Sequence, residues 1–210
     1  MEYLHRGLQK LKDNPGFKFH SKCKKMNIIN LSFADDLLLF AKADLKSISI
    51  LMEAFKRFAK STGLTANMQK CKIYYGNVDI PTKALISHII EFTEGSLPFR
   101  YLGIPLSSKK LSTANCLALV EKMTGKVKKW TNHLLSFAGR LQLVKSVLFA
   151  ITNYWMQSVP LPKKILHDAE AVCRSFLWSG GDKITRKSPI AWDQAYSPKN
   201  KGGLNVIDIK

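Results

Sequence analysis

Two adjacent carboxylates, Asp35 and Asp36, stand inside the run Leu31-Ser32-Phe33-Ala34-Asp35-Asp36-Leu37-Leu38-Leu39-Phe40, which is otherwise almost wholly apolar. Burying an unpaired carboxylate costs several kcal/mol, so a chain does not normally place charge there. The arrangement that keeps both acids ionised at least cost is the tip of a β-hairpin, with strands over 30–34 and 37–41. At such a tip the pair could meet a divalent cation and a phosphate. The competing reading is a tight turn with two solvated acids and no chemistry, because Asp is a common turn residue.

The other residue types capable of chemistry are thinly spread. His20 and Cys23 have an H-x-x-C spacing, but no second pair completes a tetrahedral zinc site. Cys23, Cys71, Cys116 and Cys173 occur singly, with no Cys-x-x-Cys. They read as reduced, mostly buried thiols of an intracellular protein, nuclear or cytoplasmic.

Charge points to the partner. The 210 residues are 46% hydrophobic and 10% aromatic, enough for a folded core in one large domain or two small ones, and the net charge is +18. Such an excess implies a polyanion, either nucleic acid or an acidic membrane surface. No apolar stretch approaches the roughly 20 residues of a membrane span. The N-terminus also lacks an apolar signal core. Nucleic acid is favoured. Between residues 101 and 150 stand Lys109, Lys110, Lys122, Lys126, Lys128, Lys129, Arg140 and Lys145, against the single acid Glu121.

The elements that position these groups read as follows. A short polar helix ends at Asn14-Pro15-Gly16, and Phe17–His20 alternates like a short strand. After the hairpin, Asp44 caps a helix with Ile48, Leu51, Phe55, Phe58 and Thr62 on its buried face, and Gly63 stops it. A strand over 72–75 and a helix of about ten residues after Pro81 complete an α+β layer. Residues 97–106 form a Pro- and Gly-bounded apolar hairpin or loop. Beyond it the pattern turns all-helical. Cys116, Val120, Met123, Val127, Trp130 and Leu134 make one stripe, and Lys122, Lys126 and Lys129 take the opposite face. A second helix from Gly139 to Trp155, capped by Ser136, buries Leu141, Val144, Leu148, Ile151 and Trp155. A third starts at Pro162, buries Ile165, Ala169, Val172 and Phe176, and stops at Gly180-Gly181. The expected organisation is 1–106, 107–181, and a basic Gly-containing tail 182–210 with no assigned structure.

The order of these segments resembles the reverse transcriptases of non-LTR (LINE-type) retrotransposons, in the version common in plant genomes. Phe33-Ala34-Asp35-Asp36 is similar to the catalytic hairpin of the palm. Gly63-Leu64-x-x-Asn67-x-x-Lys70 is similar to the following palm motif, and Tyr101-Leu102-Gly103-Ile104-Pro105-Leu106 to the primer-gripping hairpin. Trp130, Leu135-Ser136-x-Ala138-Gly139-Arg140, Tyr154-Trp155 and Phe176-Leu177-Trp178-x-Gly180 resemble the thumb and its extension. Pro198-Lys199-x-x-Gly202-Gly203-Leu204 completes the series, as the start of a connection region.

The resemblance implies a partial palm followed by a helical, thumb-like bundle. It implies Asp35 as a ligand of Mg²⁺ or Mn²⁺, Asp36 as its neighbour, and Lys70 near an incoming nucleotide. Tyr101, Leu102 and Gly103 become primer-grip residues, and the partner an RNA/DNA template-primer bound without regard to sequence. Lys122, Lys126 and Lys129, whose spacing can follow phosphates, are the candidate backbone contacts, with Arg140 at the start of the next helix. The family also needs fingers and an earlier palm strand bearing another essential aspartate. Only Asp13, beside Asn-Pro-Gly, precedes the hairpin. The expectation is therefore a fragment of an RNA-directed DNA polymerase that binds metal weakly and is inactive alone. The alternative is a basic nucleic-acid-binding module without chemistry, and a third reading is a helical interaction domain with solvated lysine faces. The oligomeric state stays open.

Overall fold

The structure, a computed structural model, describes residues 2–131, 133–183 and 189–208. The fold is α+β, in two compact units that meet between Ser96 and Leu97. The break between the compact units lies ten residues before Leu106. The physical reason is Ile104, which is only 3% exposed and belongs to the core of the helical unit.

In the first unit, α1 (Glu2–Gln9) runs into a short 3₁₀ turn, and β1 (Asn30–Phe33) pairs antiparallel with β2 (Asp36–Leu39). Leu4, Leu8 and Leu11 meet Ile29, Leu51 and Phe58 in one core, with Leu37 and Leu39 packed against it. Next comes α2 (Leu45–Thr62), capped by the Asp44 carboxylate, which accepts from the Ser47 amide at 2.9 Å. Its stop is Gly63 at φ 72°, a left-handed conformation that glycine adopts without a Cβ clash. A small parallel pair, β3 (Lys72–Ile73) with β4 (Thr93–Glu94), is joined through α3 (Ile80–Ser87). Ile48, Ile86 and Ile90 form the second core beneath it. Hydrogen bonds from the Thr82 hydroxyl and amide to Asp79 cap α3 and hold that carboxyl below its usual range.

The strand expected at Phe17–His20 does not form. The Lys18 amide donates to the Ser47 hydroxyl at 2.9 Å, which diverts a ladder donor to a side chain. Only the Lys42 amide, bonded to the Lys18 carbonyl at 2.9 Å, gives a strand-like contact there.

The second unit opens with β5 (Phe99–Tyr101) and β6 (Ile104–Leu106), followed by α4 (Thr113–Thr131). Helices α5 (Phe137–Leu143) and α6 (Phe149–Ser158) are joined by a π-helical turn over Val144–Leu148. The extra residue of that turn shifts the helix phase. Thr152 and Phe149 are buried, whereas Ile151, expected inside, is only half-buried. Helix α7 (Lys163–Ser179) follows Pro162 and ends at Gly180 in the left-handed region. Its Ile165, Ala169, Cys173, Phe176 and Leu177 pack on Cys116, Leu119, Met123 and Val127 of α4. Each large side chain so buried contributes about 1.5–3 kcal/mol.

Two expectations for this unit change. Leu119 takes the buried place expected for Val120, and Leu134 is 108% exposed, because α4 ends at Thr131 and the stripe ends with it. The described part of the tail also carries structure that its composition does not suggest. Trp192 and Ala195 of α8 (Trp192–Ala195) and Val206 enter the helical core, and the amides of Leu204 and Val206 both donate to the Ala195 carbonyl.

Candidate functional site

The register Phe33↔Asp36 leaves Ala34 and Asp35 as the two-residue loop of the hairpin. Asp36 is thus the first residue of β2, one position closer to the ladder than the sequence suggests. Ala34 has φ 50°, while Asp35 does not have a positive φ. A left-handed first loop residue alone is the backbone pattern of a type II′ turn, a position that favours glycine. Alanine there carries strain of about 1–2 kcal/mol. Strained loop residues cluster at functional sites. This feature had no signal in the sequence beyond the lack of a glycine.

Both carboxylates are exposed, and neither has an ion pair or side-chain hydrogen bond among the described residues. The hairpin is held from behind. Asn30, buried at the base of β1, accepts at Oδ1 from His5 Nδ1–H at 3.1 Å, and Leu37 and Leu39 sit on the α1–α2 core. The opposite face, with Leu31 and Phe33, is exposed.

The pair suits one side of a hard-cation site, since Mg²⁺ is commonly held by one or two carboxylates together with waters and substrate phosphates. Among the described residues no group of three or more His, Cys, Asp and Glu could hold a metal ion. The hairpin by itself does not make up a two-ion site. His20 Nδ1 and Cys23 Sγ approach to 3.8 Å without further ligands, and burial pushes the Cys23 thiol up, away from the thiolate that zinc prefers.

Lys70 lies exposed in a turn built by Asn67, whose carbonyl accepts the Lys70 amide and whose side chain accepts the Gln69 amide. It makes no ion pair with Asp35 or Asp36. Tyr101, Leu102 and Gly103 form the β5–β6 turn, with φ 52° at Leu102 and 80° at Gly103. Two successive positive values define a type I′ turn, whose twist matches that of the strands. The Leu102 carbonyl accepts a hydrogen bond from Tyr154 on α6 at 2.8 Å, so the turn is fastened to the helices.

Lys122, Lys126 and Lys129 are all exposed on α4 and make no ion pair among the described residues, whereas Lys128 meets Asp182 at 3.8 Å. At roughly 100° per residue the row is centred about 100° round the helix from the buried stripe. It flanks that stripe instead of opposing it. Arg140 does not join the row. It is half-buried in a cleft, with Nη1 2.7 Å from where a Cβ on Gly180 would stand.

Residues 3–106 match the family model of reverse transcriptase (RNA-dependent DNA polymerase). This half of the chain, from α1 through β6, therefore carries a reverse transcriptase domain. A protein of Arabidopsis thaliana, named as a candidate ribonuclease H protein, is 31% identical over 107 residues. The aligned part is 51% of this chain and 17% of that protein, so the chain spans a small share of its relative. Reverse transcriptases act on a nucleic-acid template-primer and generally use divalent metal ions. Among the described residues no helix is long and apolar enough to cross a membrane.

Proposed function

We propose that the chain is part of the RNA-directed DNA polymerase of a non-LTR, plant-type retrotransposon. The observation that carries this reading is the hairpin tip, where Asp35 and Asp36 stand exposed beside the strained Ala34 inside the reverse transcriptase match. Asp35 is the residue to ligate Mg²⁺ or Mn²⁺, with Asp36 next to it. Lys70 supplies positive charge for the phosphates of an incoming nucleotide. The Tyr101–Gly103 turn, braced by Tyr154, rests against the primer.

Two-ion nucleotidyl transfer needs ligands enough to hold both ions, and one hairpin presents carboxylates from one side only. The chain alone therefore binds metal weakly and does not extend a primer. The test is extension of oligo(dT) on poly(rA) with Mg²⁺ or Mn²⁺. No incorporation is expected, and Asp35→Asn should change nothing. Robust incorporation that Asp35→Asn abolishes would show a complete polymerase site in this chain.

The exposed lysine row favours a second reading, a non-catalytic module that grips nucleic acid with the helical unit. Lys122, Lys126 and Lys129 hold the phosphate backbone in that case, without reading base edges. Duplex binding that persists unchanged in Asp35→Asn, alongside absent incorporation, supports this module.

A further inference from the structure

A cavity of about 490 Å³ lies where α4 and α7 end, and nothing in the proposed polymerase or duplex contacts uses it. Its walls include Trp130, Thr131, Leu134, Arg140, Phe176 and Gly180. Volumes of roughly 300–1,000 Å³ are those of small-molecule sites. We infer that this cavity seats one unpaired nucleotide at the end of a nucleic-acid strand, with its phosphate at Arg140 and its base against Trp130. The inference rests on the reading that the helical unit binds nucleic acid.

The charge in the cavity is the first argument. Arg140 has no ion pair among the described residues, and its Nε is buried without a hydrogen-bond partner. Asp182, the acid that lines the same cavity, is engaged with Lys128. Lys183 adds a second cation to the lining. A guanidinium presents a planar fork that matches phosphate oxygens and sheds its hydration easily. The site thus holds a positive group with no ion pair among the described residues.

Shape is the second argument. Gly180 sits at φ 76°, and any Cβ there would fall 2.7 Å from Arg140 Nη1, so the glycine keeps open the space that the guanidinium occupies. Trp130 is braced from one side by Phe176, with ring centroids 5.4 Å apart, and it remains half-buried where it lines the cavity. Leu134 adds a fully exposed apolar side chain to the lining. Arginine combined with an aromatic wall is the means by which unstacked bases are held, since every base offers a π-face. A base inside a duplex is stacked on both faces and held in its pair, so the site selects an unpaired base at an overhang.

Arg140 could also serve only to stabilise the C-terminus of α7, where a cation interacts favourably with the last carbonyls. That role would alter folding and leave ligand preference untouched. The test is a fluorescence titration of the full chain with a blunt RNA–DNA duplex and with the same duplex carrying a short 3′ overhang. The overhang should bind roughly tenfold tighter, as one stacked base provides. Arg140→Gln should remove that preference. Leu134→Glu, at an exposed position, should do the same without touching the core. Adenosine monophosphate should compete away the preference, and inorganic phosphate should not.

Equal binding of the two duplexes by the unaltered chain, or a preference retained in a folded variant, would overturn the inference while leaving duplex binding intact. Competition by inorganic phosphate as effective as by the nucleotide would reduce the cavity to a simple anion site and overturn the assignment of a base. Binding of neither duplex would remove the nucleic-acid reading itself, and this inference with it.

Discussion

The Tyr154 hydroxyl donates to the Leu102 carbonyl at 2.8 Å, joining two residues 52 positions apart. A loop carbonyl at a type I′ turn has no ladder partner of its own. Here it is satisfied by a side chain from α6, which fixes the β5–β6 hairpin to the helical core that Ile104 enters. Tyr154→Phe removes the donor and keeps the ring. It should lower stability by about 1 kcal/mol, the usual net worth of such a bond. Chemical denaturation would read this as a lower midpoint with an unchanged slope, and an unshifted midpoint would show that the bond does not hold the turn.

Ala34 leads to a prediction of opposite sign. Substituting glycine for alanine normally costs stability, because glycine loses more backbone freedom on folding. At φ 50° the relief of steric strain offsets that loss. Ala34→Gly should therefore leave stability unchanged or raise it by up to about 1 kcal/mol. A clear loss would mean that the loop does not adopt the left-handed conformation.

The cysteines divide by burial. Cys116 and Cys173 are buried, Cys23 and Cys71 half-buried. A thiol reagent at pH 8 should label Cys23 and Cys71 in the folded protein, and the other two only after unfolding. Burial pushes the Cys173 thiol up to about 12, with the nearby Glu170 carboxylate adding to the shift. The folded state then keeps its proton where the unfolded thiol has already lost it. This contribution to stability is complete below the ordinary value of 9.0 and is lost as pH rises from there through about 12. Cys173→Ala should flatten the alkaline limb of the stability profile. An unaltered limb would assign it to other groups, with Tyr196, raised in the same direction by burial, the first to test.

Local signals made much of this fold legible. Asp44 with Gly63, Ser136, and Pro162 with Gly180 mark helix ends through their own cap chemistry, and each cap is where the sequence puts it. The hairpin was readable because two charges interrupt an apolar run. What escaped depends on contacts between distant residues. Phe17–His20 alternates like a strand, but Ser47 takes its Lys18 donor. The π-helical turn at Val144–Leu148 shifts the burial phase with no residue that announces it. Ile104 joins the helical core although its hairpin reads as the end of the mixed region. At the site, Lys122, Lys126 and Lys129 are exposed along α4. Arg140 falls in α5, the helix after the row, and its packing against Gly180, forty residues away, has no signal in the sequence.

Whether the helical unit grips nucleic acid through this lysine row is tested most directly by the salt dependence of duplex binding. Each phosphate neutralised releases counterions, so the logarithm of affinity falls linearly with the logarithm of salt concentration. The unaltered chain should bind RNA–DNA and other duplexes without sequence preference and weaken steeply between low and physiological salt. Replacing Lys122, Lys126 and Lys129 together with Gln should reduce the slope by roughly two to three units. An unchanged slope in the folded triple variant would assign the row to solvent and contradict the account.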